Sequence, residues 1–351
     1  YSVIGGWVIK YLVEYFRGNA KLLAEDGYFT DFISNGVSTE LCFVAFCAFT
    51  LIIIFAGVQN GIERVSKIMM PILIVLSVII AVYSVTRPGA LAGVKYFLVP
   101  NVKNFSWMTV VAAMGQMFYS LSIAMGILIT FGSYMKKDTA IEDSTRNVEI
   151  FDTGIAIMAG LMIIPAVFAF SGGDPNTLQA GPSLMFITIP KVFQNMGFGT
   201  VIGIVFFLLV LFAAVTSSIA LTESAVSTFE DELGWGRKKA TVLVGVIMLA
   251  LGSLSSLGYG PLAGIKIIGM QFLDLFDFLT NSVMMPIAAF LTSLFVSRVV
   301  GIDKIEEEII HGESAFRRKK VFVVMIKYLC PVFAIIILLS SVANALGWIK
   351  M

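Results

Sequence analysis

The segment GQMFYSLSIAMGILIT, residues 115–130, is apolar enough to enter a membrane, yet hydroxyls, an amide and glycines interrupt it repeatedly. Hydrocarbon offers no partner to a polar group, so such interruptions survive only where they face protein, water or a bound solute. The pattern therefore predicts a helix that is broken in mid-membrane and that binds something at the break.

The composition indicates that the rest of the chain also lies in a bilayer. Hydrophobic residues make up 58% of the 351 residues and charged residues only 13%, with a mean hydropathy of +0.92. A soluble domain averages about 25% charged residues. The net charge of +1, without a basic tail, argues against a nucleic-acid partner. The chain is expected to be an all-α polytopic membrane protein.

The sequence offers few residues that could serve in catalysis or cofactor binding. The three cysteines lie in apolar runs without metal-ligand spacing, and the single histidine, His311, lies in a charged connection. No nucleophile, base and orienting group recur at suitable spacing, and no cofactor-binding loop is present. We therefore expect no enzyme activity and no cofactor.

Apolar runs of about 20 residues predict eight complete spans and one short first span. The complete spans are expected at residues 38–57, 68–85, 107–134, 150–170, 201–227, 239–256, 272–299 and 321–345. The first covers residues 1–16, about 24 Å of helix, so we expect the chain to begin in mid-membrane with an N-terminal part missing. Residues 1–351 are expected to form one transmembrane domain.

Positive charges predict the orientation of these spans. Lys and Arg cluster in alternate connections, at residues 64–67, 136–146, 237–239 and 304–320, which we assign to the cytoplasm. The C-terminus then lies on the extracellular or periplasmic side. The longest outer connection, residues 171–200, opens with the turn-forming sequence GGDP and contains an apolar segment at 184–193. We expect a helical lid on the outer face.

Two spans are unusually polar at about mid-depth. One carries Gln116, Ser120, Ser122 and Thr130, and the other carries Thr216, Ser217, Ser218, Thr222 and Glu223. Hydroxyls and freed carbonyls suit a small hard cation such as Na⁺, and the N-terminus of a half-helix suits a carboxylate. Together they predict a site for a zwitterionic solute with a cation. The alternative is helix packing, which is the commoner role of a single membrane serine.

Four carboxylates lie within or near the spans. An acidic side chain inside the membrane is costly, so a functional role is the first hypothesis for each. Glu40 lies near an outer boundary, where we expect simple solvation. Asp152 lies near the start of its predicted span and is either solvated or functional. Glu223 either lines an inner pathway or pairs with a basic group, and Asp277 is expected at the outer mouth. The acids at 230–232, followed by bases at 237–239, are expected to form a solvated helix end.

The chain resembles, end to end, the neurotransmitter:sodium symporter family, in particular its bacterial amino-acid members. Residues 1–7 (YSVIGGW) are similar to the middle of the family's third helix and residues 59–64 (QNGIER) to its fourth-to-fifth loop. Residues 115–138 resemble its unwound sixth helix, and residues 212–219 and 229–233 its eighth. The resemblance implies the inverted-repeat, leucine-transporter-like fold, here lacking the first two helices and part of the third.

The resemblance also implies a function, namely sodium-coupled symport of a small neutral or hydrophobic amino acid by alternating access, in a cell membrane. The implied substrate-binding residues are Tyr1, Tyr119, Ser120, Ser122, Met125, Gly126, Ser217, Ser218 and Leu221. The implied sodium ligands are Ser120, Asp152, Ala213, Thr216 and Ser217. The implied gate residues are Gln116 and Asp277 outside, and Tyr134 and Asp231 inside.

The carboxylate of Asp152 has a further implication, because a fixed negative charge there replaces chloride as the local counter-charge. We therefore expect transport without a chloride requirement. Two alternatives stay open, a non-transporting truncated remnant and a proton-coupled carrier in which Glu223 titrates. The sequence does not determine which amino acid is carried, the sodium stoichiometry or the oligomeric state.

Overall fold

The computed structural model describes residues 1–174, 178, 181–313 and 315–348. This part of the chain is helical, with one isolated β-bridge between Ile267 and Met270 and no strand. It divides into two compact units. The first unit comprises residues Tyr1–Pro100 and Ile155–Leu273, and the second comprises Asn101–Gly154 and Asp274–Met351.

The helices are numbered in chain order, and a helix that contains a π-helical turn is given one label. They are α1 (Ser2–Phe16), α2 (Ala20–Leu23), α3 (Tyr28–Ser34), α4 (Gly36–Phe55), α5 (Val58–Val85), α6 (Ala90–Leu98), α7 (Trp107–Ser120), α8 (Ile127–Ser133), α9 (Ile141–Ser171), α10 (Leu184–Gln194), α11 (Gly199–Leu233), α12 (Arg237–Leu257), α13 (Phe272–Val300), α14 (Ile302–Gly312) and α15 (Lys319–Ala345).

In the described part of the chain, seven of these helices are long and apolar enough to cross a membrane, namely α4, α5, α9, α11, α12, α13 and α15. They match seven of the eight predicted complete spans. The eighth predicted span is the broken pair of α7 and α8, and the predicted short first span is α1. The prediction of a polytopic helical protein is confirmed.

Several helices extend beyond the predicted spans. α5 begins at Val58 rather than at residue 68, α9 at Ile141 rather than at residue 150, and α11 ends at Leu233 rather than at residue 227. Arg64, expected in a connection, is therefore helical. The reason is physical, since apolar composition marks the part of a helix that lies in hydrocarbon and not the polar turns that continue it.

The first unit packs around α1. Trp7, Tyr11 and Tyr15 are almost fully buried along one side of that helix, and Tyr11 donates a hydrogen bond of 2.8 Å to the backbone carbonyl of Phe186. A β-carbon on Gly6 would lie 2.7 Å from the backbone nitrogen of Phe43, so glycine allows α1 and α4 to approach closely.

The segment predicted to be a lid does form a helix, α10. Phe186 and Val192 are buried, and the Phe186 ring meets Trp7 edge to face with 5.8 Å between centroids. The predicted turn before it is described as far as Asp174, and Gly173 there has φ +95°. Pro175, the last residue of that predicted turn, lies outside the described residues.

The second unit has a smaller apolar core. Phe118 of α7, Met285 of α13 and Ile337 of α15 form its buried centre. The carboxylate of Glu313 accepts a hydrogen bond of 2.6 Å from the backbone N–H of Glu142. That contact satisfies one of the backbone donors that an α-helix leaves open in its first turn, and so fixes the start of α9.

Candidate functional site

The break between α7 and α8 lies within the segment predicted to be unwound. α7 ends at Ser120 and α8 begins at Ile127. Between them Ser122, Ala124 and Gly126 have φ values of +55°, +62° and +79°. Left-handed conformations cost a non-glycine residue about 1–3 kcal/mol, and such strain is concentrated at functional positions. The predicted broken helix is confirmed.

Asp152 faces this break. The Ser120 hydroxyl donates a hydrogen bond of 2.6 Å to Oδ1 of Asp152. Because α9 begins at Ile141, Asp152 lies about 16 Å along that helix rather than at its start. The carboxylate is thus held at the break by Ser120, and its assignment to a binding site stays a prediction.

The other predicted site residues of the second unit have varied surroundings. Tyr119 and Met125 pack against the apolar cluster around Phe118, so both side chains also have a packing role. Asp277 accepts a hydrogen bond of 2.6 Å from the Asn281 amide. Gln116 and Tyr134 are exposed, whereas Ser122 is half-buried.

In the first unit, one turn of α11 presents several oxygen atoms. The Thr216 hydroxyl lies 3.0 Å from the carbonyls of both Phe212 and Ala213, to which it donates. Ser217 is half-buried, and within the described residues its hydroxyl makes no hydrogen bond. Positions 213, 216 and 217 lie on one helix face because neighbours on a helix surface are three and four residues apart.

The Ser218 hydroxyl instead faces the neighbouring helices α4 and α1. It is 2% exposed, and its hydroxyl lies 3.2 Å from that of Thr50 and 3.5 Å from that of Ser2. These contacts join α11 to α4 and α1 and account for a buried hydroxyl by packing alone. Tyr1 occupies the N-cap position of α1 without a side-chain capping hydrogen bond, and Leu221 is half-buried. The substrate-binding roles of all three residues stay predictions.

Glu223 forms a buried ion pair, which was one of the two roles that the sequence allowed for it. Its carboxylate is 0% exposed, and Arg237 holds it with two hydrogen bonds of 2.9 and 2.6 Å. Arg237 also donates through Nε to the Ile54 carbonyl at 3.0 Å. The basic run at residues 237–239 was expected to be solvated, so the prediction is wrong for Arg237. Asp231 is exposed near the end of α11, as predicted for that helix end.

Glu40 is also not simply solvated. Its Oε1 accepts a hydrogen bond of 2.5 Å from Ser253, and its Oε2 is buried without a partner in the described part of the chain. The prediction of solvation is wrong, because it used only distance from the end of a span and not the packing of α4 against α12.

In each unit the predicted ligands fit an alkali cation better than a transition metal. Within the described residues, no group of three or more His, Cys, Asp or Glu side chains could hold a metal ion. The predicted ligand oxygens are hydroxyl and carboxylate atoms at residues 120 and 152 in the second unit. In the first unit they are carbonyl and hydroxyl atoms at residues 213, 216 and 217. All are hard ligands. Their role as sodium ligands stays a prediction. The pairing of Arg237 with Glu223 was missed, because a basic run gives no sign of which residue turns inward.

Comparison with known proteins finds similarity over nearly the whole chain. The family model described as the sodium:neurotransmitter symporter family matches residues 3–348. The uncharacterized sodium-dependent transporter YhdH of Bacillus subtilis (strain 168) is 34% identical over 346 residues, covering 97% of this chain and 76% of that protein.

A second relative, an uncharacterized sodium-dependent transporter of Haemophilus influenzae, is 30% identical over 351 residues, covering 97% of this chain and 75% of that protein. Among solved structures, the crystal structure of MhsT in complex with L-phenylalanine matches with a TM-score of 0.83 and 34% identity. That match covers 97% of this chain and 77% of MhsT. The similarity thus includes both units.

Proposed function

This chain belongs to the sodium:neurotransmitter symporter family, and from that premise we propose that it imports a neutral, hydrophobic amino acid together with Na⁺ by alternating access. The family and its sodium-dependent relatives establish sodium-coupled transport by a multi-pass membrane protein. The match to MhsT establishes the leucine-transporter-like fold. The substrate and the transport cycle are the proposed part.

The hydrogen bond between Ser120 and Asp152 at the break after α7 is the observation that carries the proposal. A broken helix frees backbone carbonyls, and here a carboxylate and a hydroxyl stand beside them. A cation that joined these groups would gain a negative counter-charge without the need for chloride. We therefore assign Ser120 and Asp152 to one sodium site and propose transport without chloride.

A second sodium site is proposed on α11. The Ala213 carbonyl and the hydroxyls of Thr216 and Ser217 lie on one face of the helix, and Ser217 has an unused oxygen in the described part of the chain. Hard oxygen ligands without a carboxylate favour a monovalent cation.

The proposed substrate is an apolar or aromatic amino acid. MhsT, at 34% identity, has been crystallised with L-phenylalanine, and the Met125 side chain at the break is flexible and apolar. The proposed substrate-binding residues are Tyr1, Tyr119, Ser120, Ser122, Met125, Gly126, Ser217, Ser218 and Leu221.

The proposed transporter also has two gates and a defined orientation in the membrane. Gln116 and Asp277 act at the outer gate, and Tyr134 and Asp231 at the inner gate. Residues 1–351 form one transport domain of the cell membrane, residues 171–200 form its extracellular lid loop, and the C-terminus lies on the extracellular or periplasmic side. The protein carries out no chemical reaction.

A proton-coupled carrier with Glu223 as the titrating group is the second candidate. The ion pair argues against it, because the guanidinium of Arg237 already compensates the charge of the Glu223 carboxylate through two hydrogen bonds. A proton that bound Glu223 would weaken this ion pair, although Arg237 also lies 3.6 Å from Glu230.

Uptake of radiolabelled amino acids into proteoliposomes tests the proposal. We expect accumulation of an apolar amino acid driven by an inward Na⁺ gradient, since one Na⁺ contributes about 2.3 kcal/mol per 100 mV of membrane potential. Replacing Na⁺ with choline should abolish it. Accumulation that follows a pH gradient without Na⁺ would establish the proton-coupled carrier. Absence of both binding and uptake across all amino acids would instead favour a non-transporting remnant.

A further inference from the structure

An open groove runs along the beginning of α4 and the end of α12, entirely within the first unit. It has a volume of about 520 Å³. Its apolar wall includes Val37, Leu41 and Val44 of α4, with Leu257 and Pro261 on the opposite side. Val37 is 74% exposed and Leu41 67% exposed. Because α4 is a membrane-spanning helix, this wall is suited to lipid chains.

One polar group of the groove is incompletely paired. Glu40 lines it, and Ser253 donates to Oε1 of the Glu40 carboxylate at 2.5 Å. The other oxygen, Oε2, is buried and accepts no hydrogen bond within the described residues. A carboxylate oxygen readily accepts two hydrogen bonds, and leaving a buried acceptor without any costs about 1–3 kcal/mol. The Glu40 carboxylate that lines the groove therefore has hydrogen-bonding capacity left over, and a positively charged donor fits it best.

The depth of Glu40 restricts the nature of this donor. Glu40 lies four residues after Gly36, which is about 6 Å from the first residue of α4. α4 has 20 residues and is about as long as the hydrocarbon core is thick, so Glu40 lies within about 6 Å of the boundary with the lipid head groups. Asn35 precedes the helix, and its Oδ1 accepts a hydrogen bond of 3.0 Å from the Ser38 N–H. Its amide nitrogen makes no hydrogen bond in the described part of the chain and can donate to a phosphate.

We propose that this groove binds a phospholipid with a primary ammonium head group, of the phosphatidylethanolamine type. The ammonium pairs with the Glu40 carboxylate, the phosphate accepts from the Asn35 amide, and an acyl chain covers Leu41 and Val44. An inorganic cation would leave the apolar wall uncovered. A choline lipid has no N–H to donate, and an anionic glycerol lipid would place its charge near a carboxylate.

The site is independent of the proposed transport function, because none of its residues is assigned to sodium, substrate or a gate. The first test uses only the unaltered, delipidated protein and native mass spectrometry. Lipids with identical acyl chains are compared in a series in which the ammonium carries zero, one, two or three methyl groups. We expect retention to fall with each lost N–H, by about tenfold over the series. Equal retention across the series would overturn the proposal.

A second test separates the charge from the apolar wall. Glu40→Gln should abolish the preference for the ethanolamine lipid while retaining the shape of the groove. Leu41→Ala should weaken binding of all the lipids, whereas Leu291→Ala, an exposed leucine on the spanning helix α13, should not. An undiminished ethanolamine preference in a folded Glu40→Gln protein would refute the role of the carboxylate.

Discussion

Ser120, the last residue of α7, donates its hydroxyl hydrogen to Asp152 in α9 over 2.6 Å. The two residues are 32 positions apart in the chain. A charged acceptor makes this hydrogen bond roughly twice as strong as one between neutral groups. The contact fixes a negative charge next to the break, where α7 ends.

Asp152→Asn removes that charge and keeps a hydrogen-bond acceptor. We expect sodium-driven uptake to fall by about tenfold in chloride-free buffer, which corresponds to about 1.4 kcal/mol of lost charge compensation. Added chloride should restore part of the activity, because a mobile anion can replace the missing carboxylate. Uptake by the unaltered protein should not depend on chloride.

The matched control is Asp138→Asn, which removes an exposed carboxylate elsewhere in the second unit. It should leave uptake unchanged with and without chloride. A several-fold stimulation of the unaltered protein by chloride would contradict the proposed role of Asp152.

Ser217 and Ser218 are adjacent in sequence but are expected to differ in function. Ser217→Ala should raise the Na⁺ concentration for half-maximal uptake by about tenfold, since it removes a ligand worth roughly 1.4 kcal/mol. Ser218→Ala should leave Na⁺ dependence unchanged and lower stability by about 1 kcal/mol, because its hydroxyl bonds with Thr50. Sodium titrations of uptake and thermal unfolding of both variants measure these effects. The opposite assignment of effects would show that Ser218 is the ligand.

The ion pair between Glu223 and Arg237 is expected to be a major contributor to stability. Arg237→Gln removes the guanidinium that pairs with a fully buried carboxylate, and loss of one partner of a buried pair costs about 3–5 kcal/mol. The double variant Glu223→Gln with Arg237→Gln should recover much of that loss. Thermal unfolding in detergent provides the measurement.

Lys67→Gln serves as the control for this pair, since Lys67 and Glu63 form an exposed ion pair one turn apart. This variant should lower the free energy of unfolding by less than about 1 kcal/mol. If Arg237→Gln were no more destabilising than Lys67→Gln, the buried pair would have no special role in stability.

Gly126 immediately precedes α8, and Gly132 lies within it. Substitution by alanine should lower stability at Gly126 but not at Gly132. Gly126 has φ +79°, where an alanine costs about 1–2 kcal/mol. Gly132 is helical, and a β-carbon there meets no atom within 4 Å. Gly132→Ala should therefore be neutral or stabilising by up to about 1 kcal/mol. Unfolding temperatures compare the two, and equal stability of both alanine variants would argue against a strained break.

The order of the spans and the position of the break could be predicted from the sequence. Hydrocarbon imposes one requirement on every residue that crosses it, since each polar group must find a partner. Long apolar runs and the interruptions at residues 115–130 are therefore visible without any knowledge of packing. The ends of the helices were harder to predict, because polar turns outside the hydrocarbon follow no such requirement.

Pairing between distant side chains was decided by the tertiary structure alone. Thr50 and Ser218 are 168 positions apart, and Glu40 and Ser253 are 213 apart. The sequence showed that these residues are polar and lie in or near spans, but not which neighbour each would face. The direction of a side chain depends on how the helices pack against one another, and packing is a property of all of them together. For the same reason the sequence determined that the chain has a polar break in the membrane, whereas only the structure showed that Asp152 faces it and that Arg237 neutralises Glu223.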